Sequence, residues 1–182
     1  GKKIAVQGVG HVGEYLVSHL VKEGALVSVT DIHDDILSRI AKDYGVSVVG
    51  TDEIYDLDMD IYAPCALGST VNDENLSRLK CGIIAGAANN QLKDETIHGQ
   101  ELLNKKIIYA PDYVINAGGV INCFSEVKGL SSDWSNSKTK EIYDTIFNIV
   151  KRSKDEGLST HTIANKMAEE RIESIGKVKL PM

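Results

Sequence analysis

At 182 residues, with 42% apolar and 25% charged residues and a formal net charge of −6, the chain suits one globular domain, or one domain with an appendage, and is long enough for a packed core. The acidic balance argues against a surface for nucleic acid or anionic membrane, and no apolar run approaches the length of a membrane span. Three scattered cysteines, Cys65, Cys81 and Cys123, form no CxxC pair and no Cys/His ligand set, which predicts no metal centre and suits a reducing cytoplasm.

The chain opens Gly1-Lys2-Lys3, without an initiator Met or a visible signal peptide, as expected of a domain excised from a longer protein. It enters a predicted strand at once, with the apolar run Ile4, Ala5, Val6. GVGHVG follows, holding Gly8, Gly10 and Gly13. Val12, Leu16 and Leu20, with Val17 beside them, then repeat at helical spacing, and Gly24 suits the residue after that helix. A second strand, Ala25 to Thr30, ends at Asp31. Strand, glycine turn, helix, strand and acid, with about 20 residues between the first glycine and the acid, form the fingerprint of a dinucleotide-binding βαβ unit. The first glycine permits the sharp turn, the second lets backbone approach a pyrophosphate, and the third lets helix and sheet pack closely. The helix N-terminus offers free N–H groups to the phosphates, and Asp31 offers an acceptor to ribose hydroxyls. A tight structural turn without a ligand is the bland alternative.

Downstream, a helix is predicted over Asp34 to Tyr44, ended by Gly45, then strands at Val46 to Val49 and at Asp60 to Ala63, the latter stopped by Pro64. A short helix begins near Asn72 and carries Leu76 and Leu79. A buried strand, Gly82 to Gly86, a helix near Asp94 to Leu103 and a strand, Lys106 to Ala110, complete the alternation. This pattern predicts an α/β fold: a three-layer, Rossmann-type, doubly wound and mostly parallel sheet. Polar clusters fall at the predicted strand carboxyl ends, where such sheets bind ligands. They are PCALGST at 64 to 70, AANNQ at 87 to 91 and PDYVINAGG at 111 to 119. The polar segment Gly129 to Thr139 reads as a loop. A helix over Lys140 to Lys154 follows, then a last helix capped by Ser159 or Thr160. The latter's stripe of Ile163, Met167, Ile172 and Ile175, with Ala164 and Ala168 beside it, reads as core-facing, packed back on the sheet, and Gly176 to Met182 as frayed. The expected organisation is a nucleotide-binding core over 1–135 and C-terminal helices of the same domain over 136–182.

The strings QGVGHVG (7 to 13), IYAPCALG (61 to 68), AGAANNQL (85 to 92), YAPDYVINAGGVIN (109 to 122) and AEERI (168 to 172) resemble, in order and over nearly the whole chain, the cofactor domain of the glutamate, leucine, phenylalanine and valine dehydrogenases. The leucine member is the nearest likeness. The resemblance implies reversible, NAD-dependent oxidative deamination of an L-amino acid to a 2-oxo acid and ammonium. It implies that Gly8, Gly10, His11, Val12 and Gly13 hold the pyrophosphate, and that Asp31 holds the adenosine ribose with Ile32 against the adenine. Cys65, Ala66 and Leu67 border the adenosine and nicotinamide riboses. Asn89 lies near the nicotinamide ribose, and Asn116 holds the carboxamide side of the ring and marks the substrate end. Val120 and Cys123 line the side-chain pocket. As residues alone, Asn89 and Asn116 could instead satisfy loop backbone, Cys65 could be packing, and Asp112 reads as structural at its turn.

Cofactor choice follows from charge: Asp31 repels a 2′-phosphate, and Ile32, His33, Asp34 and Asp35 supply no cation to rescue one, so NAD is expected. Family members often carry Asn where this chain has His11, Ser (in glutamate dehydrogenases) or Val (in leucine dehydrogenases) where it has Cys123. Cys123 behaves apolarly, which favours an apolar substrate. The family's base, ammonium-handling and carboxylate-binding groups sit on a separate N-terminal domain, and none of those motifs occurs here. The chain is therefore expected to bind NAD, to hold no catalytic residue of its own, and to belong to a homo-oligomeric enzyme. A phenylalanine or valine dehydrogenase, and a regulatory nucleotide-sensing domain, are the alternatives.

Overall fold

The structure, a computed structural model, describes residues 1–176. Six strands form one sheet: β1 (Lys3–Gln7), β2 (Leu26–Thr30), β3 (Ser47–Val48), β4 (Ile61–Pro64), β5 (Ile83–Ile84) and β6 (Ile108–Tyr109). Their order is β3-β2-β1-β4-β5-β6 and every pairing is parallel. This is the doubly wound order, with the direction of winding reversed between β1 and β4.

Alternation along the strands builds two cores. Ile4 and Val6 face one way with Val27, Val29 and Ala63, and these pack under α1 (His11–Lys22) and α2 (Asp34–Tyr44) through Val17, Leu37 and Ile40. Ala5, Tyr62, Ile84 and Tyr109 face the other way, against Ile54 and Tyr55 of a 3-10 turn (Glu53–Asp56), Leu76 of α3 (Asp73–Arg78) and Leu102 of α4 (Glu95–Asn104). A strand residue therefore serves one layer or the other by parity. A third, small core of Ile149, Ile163 and Ala164 joins α7 (Ser132–Glu156) to α8 (Thr160–Gly176), with Val114 of α5 (Asp112–Ile115) against it.

Several boundaries differ from the sequence reading. The segment 129–139 is helical from Ser132 onward, within the 25-residue α7. Its polar composition hides a cap and an anchor: Ser131 Oγ accepts from Trp134 N at 3.3 Å, and the Trp134 ring meets Phe124 at 5.7 Å. Ile172, Ile175 and Ala168 do not face the core. Ile172 is 70% exposed, because the apolar contacts of α8 come from Ile163, Ala164 and Met167 near its start. Val12 likewise points outward, and Val17 fills the α1 contact with Leu16, Leu20 and Val21 beside it. Pro64 ends β4 from within it, pairing with Gln7. β3, β5 and β6 are two-residue strands, shorter than their apolar runs. Ser159, not Thr160, caps α8, accepting from Thr162 N at 3.2 Å. The predicted frayed end falls, beyond Gly176, outside the described residues.

One crossing is tight. A Cβ at Gly86 would stand 2.1 Å from Pro64 O, so β4 and the loop after β5 touch backbone to backbone. Among the described residues, no helix is long and apolar enough to cross a membrane.

Candidate functional site

The site begins where β1 ends. Gly8 takes φ +94°, in the left-handed region, and donates its N–H to Thr30 O at 2.8 Å. A Cβ there would meet Ala66 N at 2.7 Å, and one on Gly13 would meet Gly8 O at 2.0 Å. Both positions exclude any side chain. At Gly10, by contrast, a Cβ would find nothing within 4 Å. The turn is thus pinched against its neighbours at its first and third glycines and open at its second.

Gly10 is also the N-cap of α1, and no side chain caps it. By comparison, α3, α4 and α7 take caps from Asn72, Asp94 and Ser131. The first N–H groups of α1 lack intrahelical acceptors, and they stand with the positive end of the helix dipole. Across the turn, Asp31 Oδ2 accepts from Val9 N at 2.8 Å and Oδ1 from His33 N at 3.1 Å. Those bonds fix the carboxylate and leave each oxygen a further lone pair.

A cavity of about 510 Å³ opens here between the ends of β1, β2 and β4, lined by Gly8, Gly10, Asp31, Ile32, Ala66 and Leu67 among others. It exceeds the cavities of about 330 and 360 Å³ elsewhere on the sheet. Ile32 is 81% and Leu67 90% exposed, an apolar pair flanking a polar floor. Thr30 Oγ1, on that floor, is buried without a hydrogen-bond partner. Cys65 completes the wall, and burial pushes its thiol up from the ordinary value, so it sits there as a neutral group. Beneath the turn, Tyr62 OH donates to Gln7 Oε1, and Gln7 Nε2 donates to Tyr55 OH at 2.7 Å.

Beyond β5, Asn116 Nδ2 donates to Asn89 Oδ1 at 2.5 Å and reaches Ala87 O at 3.5 Å. Asn116 ends α5, and α6 (Gly118–Val127) starts two residues later with Val120 and Cys123 exposed on one face. Buried Gln91 holds this loop from inside, donating to Gly86 O at 2.8 Å and Ala88 O at 2.9 Å. Asp112 accepts from Tyr113 N at 2.9 Å, the structural role its turn position suggested.

The cavity gathers Gly8, Gly10, Asp31, Ile32, Cys65, Ala66 and Leu67, with Gly13 packed under it. His11 lies outside that lining, in a small depression with Glu14, Tyr15 and Tyr44, and Val12 is exposed beside it. Asn89 and Asn116 pair with each other, and they, Val120 and Cys123 are not in the cavity lining. Sequence reasoning missed Thr30, Thr51 and Thr70 as liners and Gln91 as the loop's internal brace. Of these, Thr70 and Gln91 carried a signal, as the polar residues closing the PCALGST and AANNQ strings.

The family model for glutamate/leucine/phenylalanine/valine dehydrogenase matches residues 29–178. The leucine dehydrogenase of Thermoactinomyces intermedius is 49% identical over 179 residues, covering 98% of this chain and 49% of that protein. The leucine dehydrogenase of Bacillus cereus is 50% identical over 175 residues, covering 96% and 48%. The crystal structure of L-tryptophan dehydrogenase from Nostoc punctiforme superposes with a TM-score of 0.94 at 43% identity, covering 96% of this chain and 53% of that one. The chain spans about half the length of the relatives it matches.

Proposed function

Because the chain belongs to the glutamate/leucine/phenylalanine/valine dehydrogenase family, we propose that it is the NAD-binding half of an amino-acid dehydrogenase of leucine dehydrogenase type. The enzyme would convert an apolar L-amino acid reversibly to a 2-oxo acid and ammonium. The observation that carries this reading is the glycine turn. Gly8 and Gly13 have no room for a Cβ, Gly10 faces open space, and an uncapped helix starts above them. That cradle, with the fixed Asp31 carboxylate and the partnerless Thr30 hydroxyl, fits a dinucleotide.

In this reading the N–H groups of Gly10, His11, Val12 and Gly13 hold the pyrophosphate. Asp31 accepts from the adenosine ribose, and Ile32 covers the adenine. Cys65, Ala66 and Leu67 border the riboses. Asn89 and Asn116 present their amides to the nicotinamide end, while Val120 and Cys123 meet the substrate side chain. A nicotinamide held there would supply the hydride-accepting chemistry of the reaction. This chain's residues bind and orient. Proton transfer and carboxylate binding fall to a separate domain, so the chain alone binds NAD without turning over amino acids. Residues 1–135 then form the nucleotide-binding core and 136–182 the helices that complete the same domain, in a cytoplasmic homo-oligomer.

A second reading, an aromatic substrate in the same pocket, is favoured by the likeness to the L-tryptophan dehydrogenase. Calorimetry with NAD, NADH and NADP tests the cofactor assignment. NAD and NADH are expected to bind with one site per chain and NADP far more weakly. Equal binding of NADP, or no binding of NAD, would overturn it.

A further inference from the structure

We propose that Asp73, His98 and Glu101 form a binding site for a divalent transition cation of the Zn²⁺ type, which joins α3 to α4 outside the nucleotide cavity. One donor atom from each of the three lies within 4.8 Å of the others. His98 and Glu101 stand three residues apart, hence on one face of α4, and Asp73 is the first residue of α3. Asp73 and Glu101 also line a cavity of about 250 Å³ between the two helices. A lone His-x-x-Glu in the sequence does not reveal the site, because its third member comes from another helix.

The imidazole is the telling group. His98 is only 2% exposed, and its Nε2 is buried without a hydrogen-bond partner, with Asp73 Oδ1 lying 3.5 Å away. Buried polar atoms are rarely left unsatisfied. Its Nδ1 stands 3.0 Å from both the N–H and the carbonyl oxygen of Asp94. Accepting from that N–H puts the ring proton on Nε2, whereas donating to the carbonyl frees the Nε2 lone pair for a metal. Metal-bound histidines commonly donate their second nitrogen to a backbone carbonyl, so the ring sits in a socket that serves either tautomer.

One imidazole with two carboxylates suits Zn²⁺ or a neighbouring first-row ion more than Ca²⁺ or Mg²⁺, which prefer oxygen alone. Bonds of about 2.0–2.2 Å require the donors to draw in, and the exposed Asp73 side chain can do so; waters from the open side complete the shell. Lys93 Nζ stands 3.9 Å from Asp73 Oδ2. It engages the oxygen turned away from His98, and Oδ1 stays available.

Zinc chloride titrated into the chain by calorimetry tests the site. One equivalent is expected to bind, and at about a hundredfold excess over Kd the Tm should rise by about 5–10 °C. The double variant Asp73→Asn/Glu101→Gln keeps the buried ring, so it separates binding from folding. It should lose at least about tenfold in affinity and most of the thermal shift. Sites at exposed histidines or at Cys123 are common to both proteins and cancel. The same affinity and stoichiometry in the double variant, or no saturable binding below about 1 mM, would overturn the proposal.

Discussion

Asn116 and Asn89 are joined amide to amide, Nδ2 to Oδ1 at 2.5 Å, across the open end of the sheet. The bond couples the end of α5 to the loop after β5, so the two side chains act as one unit toward any ligand there. Asn116→Ala should weaken NADH binding by about 0.5–1.5 kcal/mol, the net size of one such hydrogen bond. In a double-mutant cycle with Asn89→Ala, the two losses should be less than additive. Calorimetric Kd values for the four proteins give the coupling, and strict additivity would mean the pair is independent.

Gly13 and Gly10 predict opposite outcomes for the same substitution. Gly13→Ala places a methyl 2.0 Å from Gly8 O, and backbone cannot step aside. It should destabilise by about 3 kcal/mol or more, lowering Tm by roughly 6–12 °C. Gly10→Ala enters open space and should change stability by less than about 1 kcal/mol while weakening NAD binding. Thermal denaturation and NAD titration of the two variants distinguish them.

Asp31 braces the glycine turn through Val9 N and, in the proposed reading, sets the sign of charge facing the cofactor. Asp31→Asn keeps an acceptor for Val9 N–H but removes the charge that repels a 2′-phosphate. The ratio of Kd for NADP to Kd for NAD should fall by about tenfold, an energy of about 1.4 kcal/mol, with little loss of Tm. An unchanged ratio would place discrimination elsewhere.

Alkaline pH should destabilise the fold through buried and part-buried weak acids. Burial raises the Cys65 and Cys81 thiols, and partial burial pushes Tyr113, itself 42% exposed, up to about 12. Groups raised in the folded state contribute stability that is fully present below their unfolded values and is lost as pH climbs through the folded ones. Because unfolded thiols ionise near pH 8.5, urea midpoints should hold to about pH 8 and decline above it. The same burial predicts that exposed Cys123 reacts with iodoacetamide before Cys65.

Ser131→Ala removes the cap on α7, whose oxygen accepts from Trp134 N. The expected cost is about 1 kcal/mol, or roughly 2–4 °C in Tm. Trp134 is the chain's single tryptophan, so its fluorescence reports directly on fraying of that first turn.

The halves of the molecule differed in how openly the sequence displayed them. From Lys3 to Thr30 every element was legible, because the glycines, the apolar runs and Asp31 each answer to a local steric or electrostatic demand. The parallel, doubly wound sheet followed once strands and helices alternated, while its strand order is known only from the structure. The segment 129–139 reads as a loop from sequence because Ser131 and Trp134 make a helix start only when Phe124 is there to receive the ring, a tertiary fact. Ile172 and Ile175 have helical spacing, but no neighbour among the described residues covers them. The asparagine pair was legible as two residues at strand ends but not as a pair, since 27 positions separate them. Gln91 was overlooked because its work is internal, bonding its own loop's carbonyls.

The crossing of Gly86 over Pro64 O restricts what inheritance can do with this chain. No single codon change at position 86 adds a side chain without displacing main chain on an adjoining strand. A saturation library should therefore show an almost empty column there, beside freely varying ones at Gly1 and Gly119, where a Cβ would meet nothing within 4 Å.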